Sequence, residues 1–341
     1  SPADGRGLLG EKPNIILIMP DDMGYGDMAC HGNPHVKTPQ LDTFAREAVE
    51  FTQFHVSPVC SPTRASLLTG RYNFRTGVAD VFGEATKMDP AEVTIAERLR
   101  AVGYATGIFG KWHLGDNYPY RPQDRGFDRM RCNGGGGVIQ LPDFWGNSYF
   151  DDRYWEDGKP KQFKGYCTDV WFNQALGFID GCRSGSKPFF CLITTNAPHS
   201  PYIVDPRYSD PYLGQVETVD RAEFYGMITC IDENLGALRA LHQKFRVAPP
   251  EDDAVGRRPH GVKRHQRPGH RPGQAPRRQK QHHGKDEHKD GDPEQPPDDP
   301  AGSTGSILPM LRSRGLGCTL AHSSTSQYTT FAVGSRSRAS C

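Results

Sequence analysis

The first strong apolar run, Asn14-Ile15-Ile16-Leu17-Ile18-Met19, is continuous rather than alternating, which predicts a strand buried on both faces of a parallel sheet. Phe189–Thr194 has the same character, and Tyr104–Phe109 and Phe51–Val56 predict two shorter strands. Between these runs the period changes from continuous to helical. Leu41, Phe44, Ala45, Ala48 and Val49 recur at i, i+3, i+4, i+7 and i+8, predicting a helix capped by Thr38 and opened by Pro39. Thr94-Ile95-Ala96-Glu97 reads as a capping box for a helix that stops at Gly103. Val170, Ala175, Leu176 and Ile179 predict a helix over about Asp169–Ile179, and a core stripe from Phe224 to Leu241 predicts a long one over Glu223–Leu241. Strands alternating with helices predict an α/β fold with a mostly parallel sheet.

Two stretches break the pattern. Arg121–Lys161 is rich in Gly, aromatic and charged residues and contains Gly134–Gly137. It lacks the strand–Gly-x-Gly-x-x-Gly–helix context of a dinucleotide site and reads as a long loop region that shapes a pocket, with Asp143, Trp145 and Tyr149 as candidate substrate contacts. From Pro249 to Pro300 the only aliphatic, aromatic or sulfur residues are Ala254, Val255, Val262 and Ala275. Such a segment buries too little apolar surface to offset its ordering entropy. The chain is therefore expected to divide into a folded part, 13–245, and a low-complexity, disordered tail, 246–341, in which Ile307–Leu311 and Tyr328–Val333 are isolated apolar islands.

Composition narrows the function class. The 341 residues carry a net charge of +1, so nothing global points to nucleic acid or an anionic membrane. The basic stretch Arg257–Lys285 is offset by acidic residues over Asp286–Asp299 and lacks stacking aromatics, so no nucleic-acid partner is expected. No apolar run approaches a membrane span. No signal peptide is expected in a chain that starts at Ser1, where a processed N-terminus is compatible. The nine cysteines include no Cys-x-x-Cys pair and do not suggest zinc; Cys191 and Cys230 read as core.

Three places carry candidate chemistry. Cys60-Ser61-Pro62-Thr63-Arg64-Ala65-Ser66-Leu67-Leu68-Thr69-Gly70-Arg71 reads as a short helix with Cys60 at its N-terminus, where free N–H groups favour an anion, and Arg64 one turn on. A structural cysteine capping the helix is the plainer reading. Asp21 and Asp22 directly follow the first strand, where paired carboxylates suit a hard cation or a polar turn. Lys111 and His113, two apart after a strand, would project to one side, and His199 follows the strand Phe189–Thr194. An ammonium and imidazoles at strand ends suit an anionic group and proton transfer; surface decoration is the plainer reading of each alone.

These segments resemble the sulfatase family. The likeness rests on Cys60-x-Pro62-x-Arg64 with Leu68-Thr69-Gly70-Arg71, on Asn14–Asp27, on Thr38–Thr52, on Gly110-Lys111-Trp112-His113-Leu114-Gly115, on Pro198-His199-Ser200-Pro201 and on the helix containing Asp232-Glu233-Asn234, which reads as surface. The resemblance implies an alkaline-phosphatase-like, mostly parallel sheet sandwiched by helices, and hydrolysis of sulfate monoesters. It implies that Cys60 is oxidised to formylglycine by a formylglycine-generating or anaerobic sulfatase-maturating enzyme. It further implies that Asp21, Asp22 and residue 60 bind calcium, with magnesium as the alternative. Arg64 and Lys111 would balance sulfate, His199 would protonate the leaving oxygen, and His113 would take a proton from residue 60. The substrate would be a sulfated small molecule or glycan, and the compartment periplasmic, secreted or lysosome-like. A phosphonate or phosphodiester hydrolase of the same superfamily, or a non-catalytic sulfated-glycan-binding remnant, is the alternative.

The resemblance covers about Pro13–Phe245. A sulfatase is expected to continue with a strand ending in Asp-Asn, a second lysine and a small C-terminal sheet domain, yet no Asp-Asn pair follows residue 245. The C-terminal subdomain thus reads as missing, replaced by the tail, as a frameshifted or mis-joined reading frame would produce. Resequencing the gene checks this: an unbroken frame through residue 341, with no sulfatase-like sequence in another frame, refutes it.

Overall fold

A computed structural model of the chain describes residues 12–51, 54–140, 143, 146–185, 187–246, 318–322 and 329–335. In chain order they form β1 (Asn14–Met19), α1 (Pro39–Glu47), β2 (Val49–Phe51), α2 (Cys60–Thr69), α3 (Ile95–Ala101), β3 (Ala105–Gly110), β4 (Arg129–Cys132), β5 (Arg153–Glu156), β6 (Lys159–Gln162), α4 (Cys167–Arg183), β7 (Phe189–Thr194), α5 (Pro206–Ser209), α6 (Val219–Arg246), β8 (Cys318–His322) and β9 (Thr329–Ser335). The strands make one sheet in the order β2-β8-β9-β1-β7-β3-β4-β5-β6. Its centre, β1-β7-β3-β4, is parallel, as the continuous apolar runs require, and β5 and β6 extend one edge antiparallel.

The pleat divides each central strand between two cores. Ile16, Ile18, Phe189, Cys191 and Ile193 face one side, where α1, α4 and α6 supply Leu41, Phe44, Trp171, Phe172, Ile228, Ile231 and Leu235. Phe190, Leu192 and Ile108 face the other, where Ala65 and Leu68 of α2 and Ala96 of α3 pack with Trp112 and Phe127. All six residues of β7 are buried, so no face of that strand could carry a polar side chain into solvent. Cys191 and Cys230 are fully buried, as core residues should be. The Thr94 box forms as expected, with Glu97 N donating to Thr94 Oγ1 at 3.1 Å and Thr94 N donating to Glu97 Oε2 at 2.7 Å.

Several expectations change. The strand placed at Phe51–Val56 is earlier and shorter, Val49–Phe51. Arg121–Lys161 is not simply a long loop, because β4, β5 and β6 lie within it. Their charged residues alternate with buried Met130, Cys132 and Tyr154, a two-residue period that the charge density hides. Within the segment expected to be a disordered tail, Cys318–His322 and Thr329–Ser335 are strands. β9 pairs antiparallel with β1, placing Phe331 opposite Ile18 and Ser335 opposite Asn14, and β8 pairs parallel with β2. The unpaired N–H and C=O groups of the β1 edge are the physical reason that an apolar, β-branched segment such as Thr329–Val333 is recruited there. Ile307–Leu311 and the whole of 249–305 lie outside the described residues. No helix among the described residues is long and apolar enough to cross a membrane.

Asp232 is a further correction: it is buried rather than on the surface. Its carboxylate accepts the N–H groups of Leu41 at 2.7 Å and Gln40 at 3.1 Å, so α6 caps α1 from 191 residues away. Thr38 makes no side-chain cap and instead donates to Asp42 Oδ1 at 3.0 Å. Burial pushes the Asp232 carboxyl up to about 6. Replacing a capping carboxylate leaves buried N–H groups without an acceptor. Asp232→Ala is therefore expected to cost about 1–2 kcal/mol, read as a lower urea midpoint with an unchanged slope, and Asp232→Asn less.

Candidate active site

The candidate residues converge where the strands end. At the end of β1, Met19 gives way to Pro20, Asp21 and Asp22, and Asp21 N donates to Ala197 O at 3.2 Å, tying this turn to the segment after β7. Asp22 adopts a left-handed backbone, φ 63°, which aims its side chain away from that of Asp21. At the end of β3, Gly110 has φ 122°, and a Cβ there would lie 1.7 Å from Thr194 O. Only glycine allows β3 and β7 to approach so closely. The approach lets Lys111 N donate to Thr194 O at 2.7 Å, while Thr194 Oγ1 donates to Lys111 O at 2.7 Å.

Lys111 and Asp21 are fully buried and paired at 2.5 Å, Nζ to Oδ2. Arg64, on the first turn and a half of α2, pairs with the other Asp21 oxygen at 3.2 Å and donates to Lys111 O at 2.6 Å. Burial opposes ionisation of Asp21, but Lys111 and Arg64, with His199, outweigh it and hold the carboxyl below the usual carboxylate range. Across the site, His199 Nε2 lies 3.5 Å from Asp22 Oδ2, and both side chains keep part of their surface in solvent. His199 Nδ1 is 2.6 Å from Ser200 O, so Nδ1 carries the hydrogen and Nε2 faces the carboxylate.

Cys60 is the first residue of α2, as expected, and Gly70 closes that helix at φ 71°. Its Sγ lies 3.2 Å from His113 Nδ1. On the opposite side of the ring, His113 Nε2 is 3.2 Å from Val81 O. A carbonyl can only accept, so Nε2 carries the hydrogen and Nδ1 is the acceptor for the Cys60 thiol. Lys111 and His113 thus reach one centre, through a left-handed His113 (φ 59°) rather than through an extended segment.

Residues without a motif hold this arrangement. Ser61 Oγ donates to His113 O at 2.7 Å, fixing the peptide that carries the ring. Gly136 lies against the imidazole, and a Cβ there would sit 2.7 Å from His113 Cε1. The glycine run therefore covers His113 rather than cradling phosphate. Tyr149 is buried, and its hydroxyl donates to His199 O at 3.0 Å; Asp143 accepts Gly134 N at 3.1 Å and the Asn147 side-chain amide. Both are braces of the site loops instead of pocket walls, and Trp145 lies outside the described residues. These contacts span distant segments and leave no local signal, except Ser61, which lies inside the helical motif. A cavity of about 560 Å³ lies between α4 and β3–β4 against Phe109, Phe178 and Arg131, and none of the candidate residues lines it.

A calcium ion needs six to eight oxygen donors. Both oxygens of Asp21 are taken by cations, Asp22 faces His199, and the described residues contain no cluster of three or more His, Cys, Asp or Glu able to hold a metal. The donor set expected from Asp21, Asp22 and residue 60 does not fit that ion.

Burial, with Lys111 and Arg64 nearby, lowers the His113 pKa from 6.5 to about 3. The folded chain thus keeps the ring neutral while the unfolded chain protonates it near 6.5. Its contribution to stability is complete above that pH and is lost as pH falls toward about 3. By NMR, His113 is expected to titrate near pH 3 rather than 6.5. In Gly136→Ala, which pushes the ring from its place, the midpoint should move back toward 6.5.

Comparison with known proteins identifies the family and the fold. The family model described as Sulfatase matches residues 13–244. N-acetylgalactosamine-6-sulfatase of Canis lupus familiaris is 32% identical over 269 residues, covering 72% of this chain and 50% of that protein. Arylsulfatase J of Mus musculus is 30% identical over 237 residues, covering 65% and 38%. Among solved structures, Ps i-CgsB in complex with k-i-k-neocarrahexaose superposes with a TM-score of 0.62 at 28% identity, covering 69% of this chain and 55% of that one. The chain spans about half the length of the curated N-acetylgalactosamine-6-sulfatases it matches. The family model over residues 13–244, with 32% identity to N-acetylgalactosamine-6-sulfatase across 72% of the chain, shows that the chain belongs to the sulfatase family.

Proposed function

We propose that this chain carries the nucleophile half of a sulfuric ester hydrolase and acts on sulfate monoesters. The observation that carries the reading is the meeting of two contacts on α2: Cys60 Sγ against His113 Nδ1 at 3.2 Å, and Arg64 against Asp21 at 3.2 Å and the Lys111 carbonyl at 2.6 Å. The names of the relatives, N-acetylgalactosamine-6-sulfatase and arylsulfatase J, support a sulfated sugar or aryl sulfate as the substrate class.

Residue 60 fits the family's modification, since it opens a helix beside a proton acceptor. Converted to formylglycine by a maturation enzyme, it supplies a hydrated aldehyde as the oxygen nucleophile toward sulfur. His113 keeps Nδ1 free of a proton, because Nε2–H is given to Val81 O, and Nδ1 receives the proton released at residue 60. Lys111 and Arg64, buried against Asp21, supply the positive charge near residue 60 that balances the sulfate. His199 gives a proton from Nε2, the nitrogen that faces Asp22, to the leaving oxygen. No step is assigned to calcium or magnesium, whose donors the described residues do not complete. That shortage favours a second reading, binding of a sulfated glycan without turnover.

Co-expression with a formylglycine-generating enzyme, peptide mass spectrometry across Cys60 and paired assays on an aryl sulfate and a phosphodiester test the proposal. The expected result is conversion of residue 60 and faster hydrolysis of the sulfate. Cys60→Ala should lose about 10³-fold or more of that rate. Preference for the phosphodiester would reassign the reaction within the superfamily. Binding of a sulfated sugar with no turnover after conversion would favour the second reading, and an unconverted thiol would count against the nucleophile.

A further inference from the structure

The mismatch between the expected calcium site and the residues present has its own physical content. Asp21 is fully buried, and each of its oxygens has a cationic partner: Arg64 at 3.2 Å on Oδ1 and Lys111 at 2.5 Å on Oδ2. Lys111 is equally buried, and a buried ammonium persists only beside a compensating anion. The two buried cations Lys111 and Arg64 thus share the Asp21 carboxylate, while Asp22 faces His199 on the solvent side. A divalent ion entering beside Asp21 would add two positive charges next to two cations that are already buried. It would also have to displace the ammonium from the carboxylate oxygen it needs, and no cluster of three or more His, Cys, Asp or Glu among the described residues offers substitute donors.

We propose that Lys111 and Arg64 together serve as the counter-ions of Asp21 in this chain, so that the centre is closed in charge without a divalent cation and takes up no calcium in the sub-millimolar range. The pairing is built by the fold. Lys111 is brought to β1 by the Gly110–Thr194 approach, and Arg64 is fixed between the Lys111 carbonyl and Asp21. Lys111 is the residue that excludes the ion, because its ammonium occupies the oxygen nearest the strand end. Removing it would leave Asp21 and Asp22 with an excess negative charge and one oxygen open. Calcium affinity should therefore rise when Lys111 is lost, the opposite of what a supporting lysine would give.

The inference is independent of catalysis and is read without turnover. The full chain is melted in EGTA and in about 1 mM calcium chloride, and calcium is titrated calorimetrically. A resident site raises the midpoint by several degrees at about 100 times its dissociation constant. For the wild type no shift and no binding heat are expected. Lys111→Met should melt lower in EGTA and recover by several degrees on adding calcium, whereas Lys111→Arg, which keeps the charge, should stay insensitive. A calcium-dependent rise in the wild-type midpoint that EGTA reverses, or a wild-type dissociation constant below about 100 µM, overturns the proposal. So does a folded Lys111→Met that ignores calcium. Should that variant not fold, the wild-type titration decides alone. A chain that neither binds calcium nor hydrolyses sulfate upholds this inference while sinking the proposed function.

Discussion

The Asp21 carboxylate is the constraint around which the rest of the centre is arranged. It sits at the tip of β1 with no solvent access, and its charge survives there only because Lys111 comes from the end of β3 and Arg64 from α2. One residue therefore couples two strands and a helix that sequence separates by 43 and 90 positions. The same arrangement explains why α2 is buried over most of its length despite carrying Ser61, Thr63 and Arg64. Each of those polar groups has a defined acceptor: the His113 carbonyl, the Ser57 and Val59 carbonyls, and the Asp21 carboxylate with the Lys111 carbonyl.

Around this centre the proton-handling groups are kept in different environments. His113 is pinned between Cys60, Val81 and Gly136 and stays neutral, so it can only receive a proton near neutral pH. His199 lies on the solvent side, with Nε2 3.5 Å from Asp22 Oδ2. One imidazole buried and one at the solvent edge form an arrangement suited to taking a proton on one side of an anion and giving one on the other.

Much of this was legible in the chain because the signals are local. Asn14–Met19 and Phe189–Thr194 read as buried strands, Thr94–Glu97 as a box and Cys60–Thr69 as a helix, each from contiguous residues. The strand-end positions of Asp21, Lys111 and His199 followed from those assignments. What stayed hidden depends on partners remote in sequence. Asp232 looks like helix surface until α1 is placed over it, and Gly136 looks like loop until His113 is beneath it. The strands β4 and β5 carry so many charges that their alternation was masked, and β9 gains its place from the open edge of β1, which no residue of its own announces. The calcium expectation came from two adjacent carboxylates, and sequence could not reveal that one of them is already spoken for.

The direction of β9 has a consequence for completing the sheet. It runs against β1 through a ladder from Asn14 to Ile18, so every backbone group that β1 could offer on that side is engaged. A parallel strand supplied by another polypeptide could not simply dock there; it would have to invade and peel β9 away, trading one set of main-chain bonds for another of similar worth. Access of any outside strand to β1 is thereby a strand-exchange problem, governed by the rate at which β9 lets go rather than by affinity for an open edge.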